Sequence, residues 1–507
     1  MPARFSFKAL AISGAFAASL FASPSFAEAP QDRVLTPEQI ASDIALAEEV
    51  YERIHPGYTR FNAAQTLREA WQTILSEATE DQGMSVGAFY LESNRVLAQI
   101  RCDHTKAELP DALAELREAE PVYLPMRWEM IEGRGLVSVP GDATGLERGD
   151  EILAIDGESL TERANAIRPL IPFDGQTDWV RDGQIAQSYE FRGGGLDHFG
   201  ALMFDTKPTA YLTIKRGEAE PIIVPVTRIT HPEWRALGAG QTGARNFKDA
   251  IRFEPIGDTA AYLAIDSFVN FRTPVDPDAL YDPIFQSLKD EGRDTLILDL
   301  RRNGGGSTDA ALSLAAHLMR EPAAFKKDVR VKTINMEGLE DHLWTWDSRA
   351  MNPNPLGFKK NKDGTYSLRK MISDDLKRMK PDKTHFDGQL ILLPSRNNAS
   401  GSTPLLAFIK DKNPDAILIG ERTGGNAEGA TAGILFTLTL PESGIKMRVP
   451  AMQSFMTISR FEPGFGISPD IEAPITVEAF LTEQDPALEK ALALIEGSNQ
   501  FDTAALD

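Results

Sequence analysis

Apolar residues recur along this chain with two different periods, and the changes of period divide it. Over 35–50 they fall at helical spacing behind Thr36 and Pro37, residues suited to an N-cap and a first helical position. A second helix is expected over 63–75, and the apolar run 96–102 reads as a strand that leads into Asp103-His104-Thr105. From about 120 to 230 the pattern is β-like, with Gly135-Leu-Val-Ser-Val139, 210–215 and 221–226 as strands between turns. From about 250 to 475, short apolar runs near 261–265, 295–300, 389–394 and 416–420 alternate with helical stretches, which predicts an α/β domain with a largely parallel sheet. The polar stretch 338–384 reads as a long excursion or lid over that core. These changes place a mainly helical domain at 28–118, a β-rich domain at 119–230, the α/β core at 231–484 and a C-terminal helix and tail at 485–507.

Composition adds a compartment. The 507 residues are 42% hydrophobic, ample for several domains around sizeable cores. Arg4 and Lys8, the apolar run 9–22 and Ser25-Phe26-Ala27 make 1–27 a cleavable export signal, shorter in its apolar part than the roughly 20 residues of a membrane span. No cysteine stands directly after the cleavage site to carry a lipid, so a periplasmic or secreted protein with no span after cleavage is expected. The formal net charge is −21, and loss of Arg4 and Lys8 makes it more acidic still, which argues against nucleic acid and anionic membranes as partners. The single Cys102 rules out an internal disulfide.

Two strand–loop–helix units carry the chemistry. The first ends in Asn303-Gly304-Gly305-Gly306, bare backbone ahead of a helix, where N–H groups favour negative charge. The second runs through Ser395-Arg-Asn-Asn-Ala-Ser-Gly-Ser-Thr403, with Pro404 in the first turn of the helix that follows. One loop can hold an oxyanion and the other a nucleophile, the parts acyl transfer needs. Among Ser395, Ser400 and Ser402, Ser400 is favoured because Gly401 follows it; the plainer alternative is that Ser400 or Ser402 only caps the helix. There is no His-Glu-x-x-His and no Cys/His cluster, so no metal is expected. The glycine loop lacks both the Lys-Ser/Thr of a phosphate loop and the spacing of a dinucleotide fingerprint, so no cofactor is expected.

Longer motifs carry resemblances. Gly145-Leu-Glu-Arg-Gly-Asp-Glu-Ile-Leu-Ala-Ile-Asp-Gly157 resembles PDZ domains, with an insertion containing Gly193-Gly-Gly195 before the closing strands. Asp299-Leu-Arg-Arg-Asn-Gly-Gly-Gly306, Ser395-Arg-Asn-Asn-Ala-Ser-Gly-Ser402, Ile419-Gly-Glu-Arg-Thr-Gly-Gly425 and Gly466-Ile-Ser-Pro-Asp-Ile471 together resemble the tail-specific, or C-terminal processing, serine peptidases. That family also includes the tricorn core protease and the interphotoreceptor retinoid-binding proteins. The resemblance implies a crotonase/ClpP-like α/β core preceded by an N-terminal helical domain and a PDZ-like β-rich domain. It aligns the nucleophile with Ser400 and the oxyanion donors with the backbone of Gly305 and Gly401. Where the processing-protease branch has the lysine of a Ser/Lys dyad, this chain has Asn426, which cannot act as a base. The tricorn-like branch instead ends a helical segment in a catalytic histidine, which selects His104 from the seven histidines; Asp103 or Thr105 could orient it. The same branch implies a supporting glutamate, for which Glu462 lies in the right neighbourhood.

The expectation is an exported serine endopeptidase that hydrolyses polypeptides, with the resemblance pointing to their C-termini and to the bacterial periplasm. The alternative is a non-catalytic family member that carries an apolar ligand or peptide, with which the missing lysine is compatible. A bare adaptor using the PDZ-like module would leave the glycine loop without a purpose.

Overall fold

A computed structural model describes residues 29–188, 191–239 and 245–497; the expected signal segment 1–27 and the last ten residues of the tail lie outside them. The first helix, Pro37–Ile54, opens with the full capping box: Thr36 Oγ1 accepts from the Gln39 N–H and Gln39 Oε1 from the Thr36 N–H. Ala64–Glu80 is the second helix. The run 96–102, expected as a strand, instead ends a helix, Val86–Ala98, whose cap Ser85 accepts from the Ala88 N–H. Phe89, Tyr90, Val96 and Leu97 are all buried, and a short apolar run buried all round carries no period by which to tell the two structures apart. Arg101, at φ +57°, breaks the turn that follows and sends the chain toward His104.

The β-rich part is an antiparallel sheet in the order Met126–Ile131, Arg134–Pro140, Glu151–Ile155, Thr209–Lys215, Ile222–Thr227, with Glu158–Ser159 paired to Glu151–Ile155. Between Glu158–Ser159 and Thr209–Lys215 the chain leaves this sheet through the helices Leu160–Ile167, Val180–Ala186 and Gly195–Met203. This insertion reaches the site described below.

The core sheet has six strands: Ile251–Ile256, Ala260–Ile265, Thr295–Asp299, Gln389–Leu393, Ile417–Gly420 and Ile471–Glu472, parallel throughout except for the first pair. Its inner strands, Ala260–Ile265, Thr295–Asp299, Gln389–Leu393 and Ile417–Gly420, are nearly all apolar because both their faces are covered. Leu296, Leu298, Leu390 and Leu392 pack with residues of Pro277–Asp290, Thr308–Leu318 and Ser402–Lys412, whereas Ile297, Ile391, Leu393 and Ile419 pack with Pro486–Ile495. Thr295–Asp299 and Gln389–Leu393 are neighbours in register, Thr295 opposite Gln389. The glycine and serine loops therefore leave adjacent strands at the same sheet edge.

A second, mostly antiparallel sheet is built around Lys446–Met456, which pairs with Thr431–Thr439, Lys326–Val331 and the short strand Ala107–Glu108. Pairing of Ala107 with Met447 pins the segment just after His104 to the second sheet. The stretch 338–384 is not a detached lid, since Leu343–Trp344, Phe358–Lys360 and Tyr366–Leu368 join this sheet. One apolar cluster runs from Leu35 and Trp71 through Trp128 and Phe199 to Phe436 and Val449, so the first helices, the β-rich sheet and part of the second sheet share a core.

Candidate active site

Asn398 organises the serine loop. Its fully buried amide donates to the carbonyls of Leu300 (2.6 Å) and Asn303 (3.0 Å) and to Ser402 Oγ (2.8 Å), while Oδ1 accepts from the Ser395 N–H (2.7 Å). A single side chain thus ties the serine loop to the glycine loop. Ser400 follows at φ +49°, a left-handed conformation uncommon for a residue with a Cβ, and the helix Ser402–Lys412 begins two residues later. The turn is closed by the Ser402 N–H on the Ala399 carbonyl at 3.0 Å.

Opposite it, His104 places Nε2 3.2 Å from Ser400 Oγ, within hydrogen-bond reach across 296 residues of sequence. Its other ring nitrogen, Nδ1, is buried without a hydrogen-bond partner. Thr105 is turned away, its hydroxyl 2.9 Å from His55 Nε2. Asp103 contributes its backbone N–H to Asp174 Oδ1 at 3.0 Å.

The glycine loop lies against Ser400. Gly305 has φ +105°, and a Cβ there would sit 2.8 Å from Ser400 Cβ and 2.7 Å from the Gly401 nitrogen. Gly305→Ala is therefore expected to displace the serine turn and cut the reactivity of Ser400 toward an acylating or phosphonylating probe by about 10²-fold, read as a labelling rate. The Gly305 N–H already donates to Asn303 Oδ1 at 2.8 Å, whereas the N–H groups of Gly306 and Gly401 have no acceptor among the described residues. The unengaged donor of the glycine loop that lies nearest the serine turn is thus on Gly306, one residue beyond the expected Gly305.

Glu462 is not brought to the histidine. Its carboxylate pairs with Arg422, whose guanidinium lies over the Phe465 ring, and 59% of its side chain is exposed. A loop carboxylate with a cation beside it has no drive to enter the site. Asn426 is buried, and its Oδ1, unpartnered, packs against Gly175, where a Cβ would come within 2.6 Å of it. Asn398 and Asp174 were missed in the sequence. The first stood unremarked in the quoted serine motif, and the second lies in an insertion without a motif.

Among the described residues, two groups of side chains have donor atoms close enough for a cation. In Cys102, His104 and Asp174 they lie within 4.8 Å of one another, but burial pushes the thiol up to about 12 and keeps its proton, a poor state for a metal ligand. In Asp282, His317 and Asp382 the histidine is a buried helix residue packed on Phe285, with Nδ1 2.8 Å from the Ser313 carbonyl.

A serine on a strained turn, an imidazole within reach of its oxygen and unengaged N–H groups alongside are the parts that serine hydrolysis uses. Residues 259–473, less than half of the chain, match peptidase family S41, which supports a serine-type peptidase. Among solved structures, mature CPAF is 14% identical with a TM-score of 0.62 over 92% of this chain and 99% of that one. The complex of mature CPAF with lactacystin is 14% identical with a TM-score of 0.60, covering 91% and 99% of the two chains. At this identity the likeness speaks for the fold alone. No curated protein matches the chain by sequence.

Proposed function

We propose that the chain is an exported endopeptidase that cuts polypeptides with Ser400 as nucleophile and His104 as general base. The observation that carries this reading is the 3.2 Å approach of His104 Nε2 to Ser400 Oγ. His104 takes the hydroxyl proton as the oxygen attacks the scissile carbonyl, and later delivers it to the leaving amine. The N–H of Gly401 and that of the glycine loop at Gly306 receive the oxyanion; Gly305 serves by its lack of a side chain. A water, activated by the same imidazole, then releases the acyl group. His104 takes the place of the lysine that Asn426 replaces, and Glu462 has no part in the site.

Export rests on the 1–27 leader pattern, and selection of polypeptide C-termini on the PDZ-like pattern of 145–157. The crotonase/ClpP-like reading of the core belongs to the same proposal. Among the described residues no helix is long and apolar enough to cross a membrane. The apolar-ligand carrier is less favoured: a cavity of about 500 Å³ beside the N-terminal helices sets Lys106, Glu118 and Arg192 beside Tyr90, Phe191 and Trp234, a mixed rather than an apolar lining.

The test is fluorophosphonate labelling with intact-mass detection and peptide mapping. One label on Ser400 in the wild type, lost in His104→Ala, is expected. A folded wild type that stays unlabelled, or a His104→Ala variant that labels at the wild-type rate, would refute the assignment.

A further inference from the structure

We infer that Asp174, carried on the insertion of the β-rich sheet, is the positioning residue that holds His104 for catalysis. The inference rests on the Ser400–His104 reading above. With Nε2 directed at Ser400, the nitrogen of His104 left to be oriented is Nδ1, and it is buried and unpartnered. Asp174 is 1% exposed; its Oδ1 accepts from the Asp103 N–H at 3.0 Å and its Oδ2 is likewise buried and unpartnered. A carboxylate oxygen of Asp174 and a ring nitrogen of His104 lie within 4.8 Å of each other. Each residue thus keeps one buried atom without a partner, a nitrogen of His104 and an oxygen of Asp174, and a hydrogen bond between the two would satisfy both. Neither Asp103, Thr105 nor Glu462 provides such a group.

The carboxylate is held in place by its own loop. The Gly175 N–H donates to the Arg101 carbonyl at 2.9 Å, the Gln176 N–H to the Gly464 carbonyl at 2.8 Å, and the Thr177 hydroxyl to the Gly424 carbonyl at 2.6 Å. Gly175, at φ +56°, has no room for a side chain, since a Cβ would lie 2.3 Å from the Gly464 oxygen. The loop is thus wedged between the segment that carries His104 and the core around Gly424 and Gly464. Burial raises the pKa of Asp174, with Asp103 adding to the rise and His104 and Arg60 opposing it. A carboxylate that desolvation disfavours as a lone ion is stabilised by an imidazolium beside it, the species formed when His104 takes the serine proton. The other titratable neighbours are the Cys102 thiol, which keeps its proton, and His55, held neutral.

The site is thereby assembled from three separate stretches of chain: the helical segment gives the base, the insertion its orienting acid and the core the nucleophile. Asp174→Asn keeps the volume and the acceptor for the Asp103 N–H while removing the charge. The rate of fluorophosphonate labelling, followed from pH 5 to 9, should fall by about 10²–10⁴-fold in this variant. Its acid limb should move to lower pH by about one unit, because loss of a neighbouring carboxylate disfavours the imidazolium. Wild-type rate with an unmoved limb would overturn the inference. So would a slow variant with an unmoved limb and an altered near-ultraviolet circular dichroism spectrum, the signature of a purely structural role. The two readings fail differently: an unlabelled wild type removes the Ser400–His104 pair and this inference with it. A labelled wild type, an unlabelled His104→Ala and a fully reactive Asp174→Asn remove Asp174 alone.

Discussion

Ser400→Ala is expected to lower peptide hydrolysis by about 10⁶-fold, the loss seen when a serine peptidase is deprived of its nucleophile. The fold should be unaffected, because the side-chain hydrogen bond lost is the one to His104 and the turn is closed by backbone and by Asn398. A companion substitution separates chemistry from strain. Ser400 holds φ +49°, where a residue with a Cβ is disfavoured and glycine is not. Ser400→Gly should be equally inactive yet more stable than Ser400→Ala by about 1 kcal/mol, measured by urea unfolding. Equal stability of the two would mean that the turn stores no strain; residual hydrolysis within tenfold of wild type would remove Ser400 from the mechanism.

Acid should destabilise the protein through two histidines that take no part in the chemistry. His55 and His198 are buried, and burial lowers each from 6.5 to about 3. His55 is fixed as the neutral Nε2–H tautomer: Nδ1 accepts from the Gly57 N–H at 3.1 Å and Nε2 faces Thr105 Oγ1 at 2.9 Å. The unfolded chain takes up both protons below the ordinary histidine pKa while the folded chain refuses them until much lower. Their contribution is therefore complete above pH 6.5 and lost as pH falls toward 3. Asp197, raised by burial to about 6, works in the opposite direction, gaining stability as pH falls through that value. For these three groups taken alone the balance is about one proton, or ~1.4 kcal/mol lost per pH unit between roughly 6 and 4, and the carboxyls of Asp43, Glu129 and Asp174, also raised by burial, make the slope shallower. Urea midpoints at several pH values measure it, and His55→Gln or His198→Gln should each take one proton out of the slope. An unchanged slope in both variants would place the acid sensitivity elsewhere.

The parts of the fold that could be read in the sequence are those in which local pattern and tertiary demand agree. Thr36-Pro37 announces its helix because the cap is made by residues three apart. The strands that end at the glycine and serine loops are legible because both their faces are buried, which leaves unbroken apolar runs. The run 96–102 misled for the same reason, since burial on all sides erases the period that separates helix from strand. Ser400 could be reached from its loop and Gly401, whereas His104 needed the resemblance, because nothing local marks a residue whose partner is 296 positions away. Glu462 fell near the expected position in the chain but went to Arg422, an outcome set by side-chain direction. Asp174 had no signal: its meaning comes only from the packing of an insertion whose length and course no motif records.

Cys102 has a consequence of its own. It is the single thiol of the chain, two residues from His104, 4% exposed, with burial pushing its pKa up to about 12. In the closed protein it is inert, and an alkylating reagent can reach it only when the segment bearing His104 lifts from its seat. The protein thus carries a clock for its own breathing: the rate at which a maleimide consumes this sulfur under native conditions counts the excursions of the segment that holds His104, without any introduced label.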